Sequence, residues 1–412
     1  ARGGMAQVWR ARHREQGVPV AVKVMDPAVA TYDGFVRRFR EEVRAVAGLD
    51  HPGVVMVLDH GVIDDYAAGM SEKLGSGCPW LAMEFCGGGT LSDLRRPLPW
   101  SAVKTILLAI LDALAHAHAR GVIHRDLKPA NVLIGTRRDA RAGLKLSDFG
   151  IAWAGDGAED IGADSIMGTP RYMAPEQITA AWREQGPWTD LYSLGCLTHW
   201  LIDGRTPFRG VSVAATLVMH MHSPPPQLKG SIPIPEGLDE WVASLLAKSP
   251  VERFQRAADA AWALARLPDP PEGEFEPIIA DTELQATLEA TDLSIGEGWR
   301  LSISSGRETS HRQHMGRSPP AAPVPETWRR KIPAAPPLKL VGAGLSLYGL
   351  REIPLVGRDD HRDRLWTALR KVTATGRAQG VVLRGPAGTG KSRLVQWLQE
   401  RAHETGAAKP VK

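Results

Sequence analysis

Asp126 and Asn131 stand five residues apart in VIHRDLKPANVLIG, residues 122–135, where His124, Arg125, Asp126, Lys128 and Asn131 interrupt two aliphatic runs. A further carboxylate, Asp148, follows the short stretch LKLS at 144–147. Two carboxylates and an amide carried on loops suit Mg²⁺, a hard cation that takes oxygen ligands. Lys23, in VAVKV, is placed to hold phosphate oxygens from a separate strand. The stretch RGGMAQV at 2–8 contributes a glycine turn whose backbone can lie close over phosphates. One lysine in a strand is usually a solvated charge, and one glycine turn is usually only a turn. Their joint occurrence, in this order, points to the handling of a metal-complexed phosphate. The aliphatic flanks would anchor the 122–135 loop in a core, while its polar centre faces an anionic cleft.

A second phosphate motif lies near the other end. GPAGTGKS, residues 385–392, has the spacing G-x-x-x-x-G-K-[ST]. A strand is expected at GVVLR before it and a helix at SRLVQWLQERA after it, the context a phosphate-binding loop needs. Backbone N–H groups around Gly385, Gly388 and Gly390 and the helix N-terminus would hold phosphates. Lys391 would reach the β- and γ-phosphates, and Ser392 would touch Mg²⁺. No acid or sensor that would complete an ATPase follows, and about 60 residues cannot bury a full core. Partial order and no ATPase activity are expected of this piece.

The elements that must position these groups follow from periodicity. VPVAVKVM at 18–25 reads as a strand, and Phe35, Phe39, Val43 and Val46 have helical spacing within YDGFVRRFREEVRAVAGL. HPGVVMVLDHGVI and PWLAMEFC read as strands, joined by DDYAAGMSEKLGSG, an enlarged hairpin loop over 64–78. SAVKTILLAILDALAHAHARG reads as a long apolar helix closed by Gly121. Further helices are expected around 187–204, 211–222, 237–247 and 255–266. Strands early and helices late predict an α+β unit over 1–267, with a small β-rich lobe and a larger α-helical one. Residues 268–350, with LPDPPEGEFEP, RSPPAAPVPE and KIPAAPPLKL, read as a proline-rich, largely disordered linker with weak strand signals near 277–280 and 340–350. Residues 351–412 read as the first part of a P-loop α/β domain, with a helix at DDHRDRLWTALRKV.

Composition bounds the rest. Hydrophobics at 43% and charged residues at 23% fit a globular protein with a substantial core. A net charge of +4 does not point to nucleic acid. Cys78, Cys86 and Cys196 are too few and too scattered for a disulfide framework, and a reducing cytoplasmic setting is expected. No signal peptide and no apolar run of about 18 residues is read, so no membrane partner is expected. The start at ARGGMAQVW and the stop soon after GPAGTGKS suggest a piece of a longer protein.

Taken together, the glycine turn, VAVK, HRDLKPAN, DFG and GTPRYMAPE resemble the protein-kinase signature set, and the chain from 1 to about 267 is most similar to bacterial Hanks-type serine/threonine kinases. The resemblance implies a bilobal kinase fold, ATP with Mg²⁺ (Mn²⁺ as a substitute), and transfer of the γ-phosphate to Ser/Thr hydroxyls of proteins, itself included. It implies that Asp126 orients the substrate hydroxyl and Lys128 steadies the γ-phosphate. Asn131 and Asp148 would bind Mg²⁺, and Lys23 would hold the α/β-phosphates. Glu41 and Glu42 are adjacent, about 100° apart around a helix, so one of them faces Lys23, and spacing favours Glu42. Gly3 and Gly4 would cover the phosphates, and Val8, Ala21 and Leu133 would enclose adenine. Met83 would stand behind adenine, with Glu84 to Cys86 as hinge. Thr169 would contact Asp126. Ser165 is the phosphosite candidate, with Arg125 as its partner. Glu176 would pair with Arg253, Asp190 would brace the loop, and His124 would pack on Phe149. His116 and His118 would be helix packing or surface, with no carboxylate partner. The family's first strand is missing, Ala1 falls in the place of the first glycine, and Ala6 replaces the third. PLVGRDDHRDRLWTAL resembles the entry of AAA-like signal-transduction ATPases. Rival readings are a nucleotide-sensing scaffold without transfer, and a signalling NTPase with the kinase-like part as appendage. Oligomeric state is not legible.

Overall fold

A computed structural model describes residues 6–27, 35–71, 74–94, 97–149, 170–230, 232–270, 282–291, 321–329 and 355–409, with a few isolated positions between 319 and 347. For residues 35–38, 41, 42, 182, 282 and 283 only the backbone is described. Strands β1 (Ala6–Arg12), β2 (Pro19–Met25), β3 (Val57–Val62) and β4 (Pro79–Glu84) form an antiparallel sheet in the order β1-β2-β4-β3. Register puts Val8 opposite Lys23, and Ala21 opposite Met83. Because side chains alternate along a strand, these four share one face of the sheet. Helix α1 (Phe35–Ala47) buries Phe39, Val43 and Val46, the stripe its 3.6-residue period predicts. The hairpin insertion is not all loop. It contains a short helix, α2 (Asp65–Gly69), capped by Asp64, whose Oδ1 accepts from Ala67 N at 2.7 Å.

The second lobe is built on α3 (Trp100–Ala119), whose buried face runs from Trp100 through Leu107 and Leu111 to His118. At 20 residues α3 is long and apolar enough to cross a membrane, which corrects the expectation that no such run exists. It is the buried core helix of this lobe, packed against its neighbours on most sides. A small hairpin, β5 (Val132–Gly135) with β6 (Gly143–Leu146), carries the loop that precedes it. Around α3 stand α4 (Pro175–Ile178), α5 (Pro187–Asp203), α6 (Val213–His222), α7 (Leu238–Leu245) and α8 (Ala257–Ala265). Helix α5 ends at Gly204, φ +73°, a left-handed cap that glycine adopts without strain.

The stretch read as linker contains α9 (Thr282–Ala290), to which the sequence reading assigned no helix. Leu284 is buried and Leu288 partly so against the core. Thr287 Oγ1 donates to Gly135 O at 3.3 Å, and Leu144 N donates to Thr291 Oγ1 at 3.3 Å, so α9 closes over β5 and β6. Leu284→Ala should lower unfolding free energy by about 2 kcal/mol or more, read as a shift in urea midpoint at constant slope. A change confined to a few tenths would mean that α9 is not part of the cooperative unit. Residues 277–280 and most of 340–350 lie outside the described residues, and the described ones there form no strand.

Near the end, α10 (Asp359–Thr375) and α11 (Lys391–Glu404) form as expected. The strand expected at GVVLR does not. Residues 380–384 have no strand pairing, and Val382 is 77% exposed. A strand needs a neighbour to satisfy its backbone groups, and none is present among the described residues 355–409.

Candidate active site

The loop between α3 and β5 is held from behind by one buried carboxylate. Asp190, fully buried at the start of α5, accepts from His124 N at 2.8 Å and Arg125 N at 2.7 Å. It also pairs with His118 Nε2 at 2.7 Å. Burial, the largest single effect, opposes its charge, but the His118 hydrogen bond and charge together with His124 outweigh it, and its carboxyl sits below the ordinary range. The Arg125 carbonyl is tied down too, accepting from Gln177 Nε2 at 2.8 Å. These bonds hold Arg125 at φ +64°, a left-handed conformation costly for a residue with a Cβ. Asp148 is held likewise at φ +58°. Such strain persists only where the surroundings over-determine it.

The polar groups so positioned converge. Lys23 Nζ donates to Asp148 Oδ1 at 2.7 Å, across 125 residues of chain and from sheet to loop. Burial disfavours the Asp148 anion, yet the Lys23 ammonium, with His124 and Lys128 adding to it, holds the carboxyl below its usual value. This ion pair is complete above the ordinary carboxylate range and is lost as pH falls through the lowered value. Asp126 accepts from Lys128 Nζ at 2.7 Å and from Asn131 Nδ2 at 3.0 Å. Asn131 Nδ2 also donates to the Asp126 carbonyl at 2.7 Å, which leaves its amide oxygen as the acceptor. The Asp126 and Asp148 side chains remain 26% and 33% exposed, so they line an open cleft. His124, with no exposed surface, stacks on Phe149 at 4.5 Å between ring centres. Burial pushes its pKa down, so it packs as a neutral ring and not as a base in the cleft.

Val8 and Leu133 keep exposed surface at the mouth, Ala21 is half-buried, and Met83 is buried. Glu84 differs from the expectation in one respect. Its side chain faces inward, accepting from Met56 N at 2.8 Å and Arg141 NH1 at 3.2 Å, with Lys145 Nζ at 3.7 Å. Only its backbone is therefore left for a ligand in the cleft. Burial, then Glu84, pushes the Cys86 thiol up to about 12, so it stays a neutral thiol. Gly3, Gly4, Ser165 and Thr169 lie outside the described residues, as does the side chain of Glu42.

Glu176 and Arg253 pair as expected, through bonds of 2.8 and 3.0 Å in full burial. The two α3 histidines do have carboxylate partners, contrary to the sequence reading: His118 has Asp190, and His116 Nδ1 lies 2.8 Å from Glu404. Both partners come from distant sequence, and nothing local announced them. Spacing of His118 two residues beyond His116 was visible, but not which carboxylate each would meet. In the second motif, Gly388 and Gly390 take φ +78° and +81°, and Lys391 Nζ bonds the Gly385 and Pro386 carbonyls at 2.8 and 2.6 Å. The loop is closed on its own lysine, which begins α11 and is followed by Ser392 in its first turn.

A small antiparallel sheet bearing a lysine over a helical lobe bearing a braced Asp–Lys–Asn loop defines a two-lobed phosphotransferase. The chain belongs to the protein kinase family: the protein kinase domain matches residues 1–260, and an AAA ATPase domain matches residues 354–411. The serine/threonine-protein kinase Pkn1 of Myxococcus xanthus is 37% identical over 260 residues, covering 62% of this chain and 36% of the relative. The serine/threonine-protein kinase PknL of Mycobacterium tuberculosis is 36% identical over 261 residues, covering 62% and 61%. The crystal structure of the Mycobacterium tuberculosis PknI kinase domain is 29% identical, covering 64% of this chain and 91% of that one at a TM-score of 0.48. The chain thus spans between 36% and 61% of the length of these two curated relatives. It carries a protein kinase domain, and both of these relatives are bacterial serine/threonine-protein kinases.

Proposed function

We propose that the cleft between the sheet and the 122–135 loop is where phosphate passes from ATP to a protein hydroxyl, and that its residues divide the work. Asp126 orients the hydroxyl and takes its proton, in a position set by Lys128 and Asn131. Lys128 steadies the γ-phosphate. Lys23 holds the α/β-phosphates, with Glu42 as its partner on α1. The oxygens these residues offer, the Asp148 carboxylate and the Asn131 amide oxygen, are hard, a set that fits Mg²⁺, or Mn²⁺ in its place. When bound, the cation neutralises charge on the β- and γ-phosphates. Gly3 and Gly4 cover the phosphates. Val8, Ala21 and Leu133 enclose the adenine, with Met83 behind it and the backbone of Glu84 to Cys86 as hinge. Thr169 is given the role of contacting Asp126 and favouring Ser/Thr acceptors.

Arg125 supports a regulatory phosphate on Ser165, because its Nε is buried without a hydrogen-bond partner among the described residues. Gly385, Gly388, Gly390, Lys391 and Ser392 form a second phosphate site. The whole protein acts in cytoplasmic signal transduction, on protein substrates and on itself, from a kinase unit over 1–267 joined through 268–350 to a P-loop unit at 351–412.

The observation that carries this reading is the 2.7 Å approach of Lys23 to Asp148. With γ-labelled ATP and Mg²⁺, label should appear on serine and threonine of a basic protein substrate and of the chain itself. Stripping the metal with EDTA should abolish it. Label that never exceeds a no-enzyme control, or that survives EDTA, would sink the proposal.

A further inference from the structure

Helix α11 begins at the second phosphate motif and ends against the kinase core. Its last residue, Glu404, is buried and meets His116 Nδ1 at 2.8 Å, on the C-terminal half of α3. Arg120, one turn on, lies 3.5 Å from Glu400 and 3.7 Å from Glu404. Burial pushes His116 down to about 3, so the imidazole is neutral and Nδ1–H donates to the carboxylate. Beyond the helix, Gly406 turns at φ +76° in a space where an added methyl would lie 2.9 Å from Ala322 Cβ and 3.2 Å from Ala258 Cβ. Ala322 N in turn donates to Asp259 Oδ1 on α8 at 2.7 Å. The end of α11 is therefore seated on α3 and α8 together.

This seat adjoins the brace of the catalytic loop. His118 lies two residues beyond His116 on α3 and holds Asp190, which holds the His124 and Arg125 amides. We propose that Glu404 is a positioning residue for phosphoryl transfer: by fixing the end of α3 through His116, it keeps His118, Asp190 and hence Asp126 in working geometry. The P-loop helix is thereby a structural part of the kinase site. This rests on the kinase reading above, which it deepens by adding a control point outside the kinase sequence.

The test compares the full chain with Glu404→Ala, Glu404→Gln and Gly406→Ala. In Glu404→Ala, hydrogen exchange at the His124 and Arg125 amides should rise by roughly tenfold, within the usual span of site-to-site coupling. Transfer should lose kcat several-fold while KM for ATP stays put. Glutamine keeps an acceptor for His116 and should restore both readouts. Gly406→Ala should reproduce the alanine effect from the other side of the seat. Unchanged exchange at 124 and 125 in the folded alanine variants, or a glutamine variant as impaired as alanine, overturns the inference. A wild-type chain that transfers nothing refutes the kinase reading instead, and the exchange measurement still decides this one.

Discussion

Asp126→Asn is expected to lower phosphoryl transfer by about 10²- to 10⁴-fold, the usual contribution of a positioned base, while ATP still binds. Asparagine has the size of aspartate and can still accept from Asn131, whose amide also holds the Asp126 carbonyl at 2.7 Å. The loop should therefore keep its shape. What is lost is the charge that takes the hydroxyl proton. Asp148→Asn should fail differently. Its carboxylate is the partner of Lys23 at 2.7 Å and one of the cleft's hard oxygen donors, so both nucleotide affinity and transfer should fall. Nucleotide titration alongside label transfer separates the two variants. If Asp126→Asn transfers at the wild-type rate, Asp126 is not the base. If Asp148→Asn binds Mg²⁺-ATP normally, the cleft assignment fails.

Arg253→Ala should destabilise the fold by about 3–5 kcal/mol, the cost of leaving a buried charge without its partner. Arg253 has no exposed surface and clamps Glu176 through both terminal nitrogens. It also donates through Nε to Ala247 O at 2.7 Å and through NH2 to Lys248 O at 3.0 Å. Among the described residues the Glu176 carboxylate has one further partner, Thr189 Oγ1 at 2.8 Å, too little to carry a buried anion. The pair ties α4, which begins within GTPRYMAPE, to the turn before α8. Urea denaturation should report the loss, and adding Glu176→Gln should recover part of it because the stranded charge is removed. A loss below about 1 kcal/mol would place the pair with surface ion pairs and contradict its burial.

The kinase machinery was legible because each of its parts needs a particular side chain at a particular local spacing. Asp126 and Asn131 share one short loop and Lys23 sits in an alternating strand, so type and order marked them as metal and phosphate candidates, while the role of Lys128 came only with the resemblance to protein kinases. The helices of the larger lobe were legible for a similar reason: an apolar stripe every 3.6 residues is a local property. Helix α9 was hidden by its proline-rich surroundings, since the few apolar residues it offers, Leu284 and Leu288, are buried only once the helix packs on the β5–β6 hairpin and α3. The GVVLR segment erred in the other direction. It has the composition of a strand, but a strand is satisfied by another strand, and none of the described residues around it supplies one.

Local chemistry, then, was written in the one-dimensional order: which residues could bind phosphate and metal, which stretches would coil, and where the loops must fall. Partnership was decided in three dimensions. Only the folded chain brings Lys23 within 2.7 Å of Asp148, turns Glu84 inward toward Arg141, and gives His118 to Asp190 and His116 to Glu404. Spacing along a chain fixes directions only over a turn or two. Which buried charge meets which is settled by the cost of leaving either one alone, and that cost is felt only when distant elements pack and water is excluded.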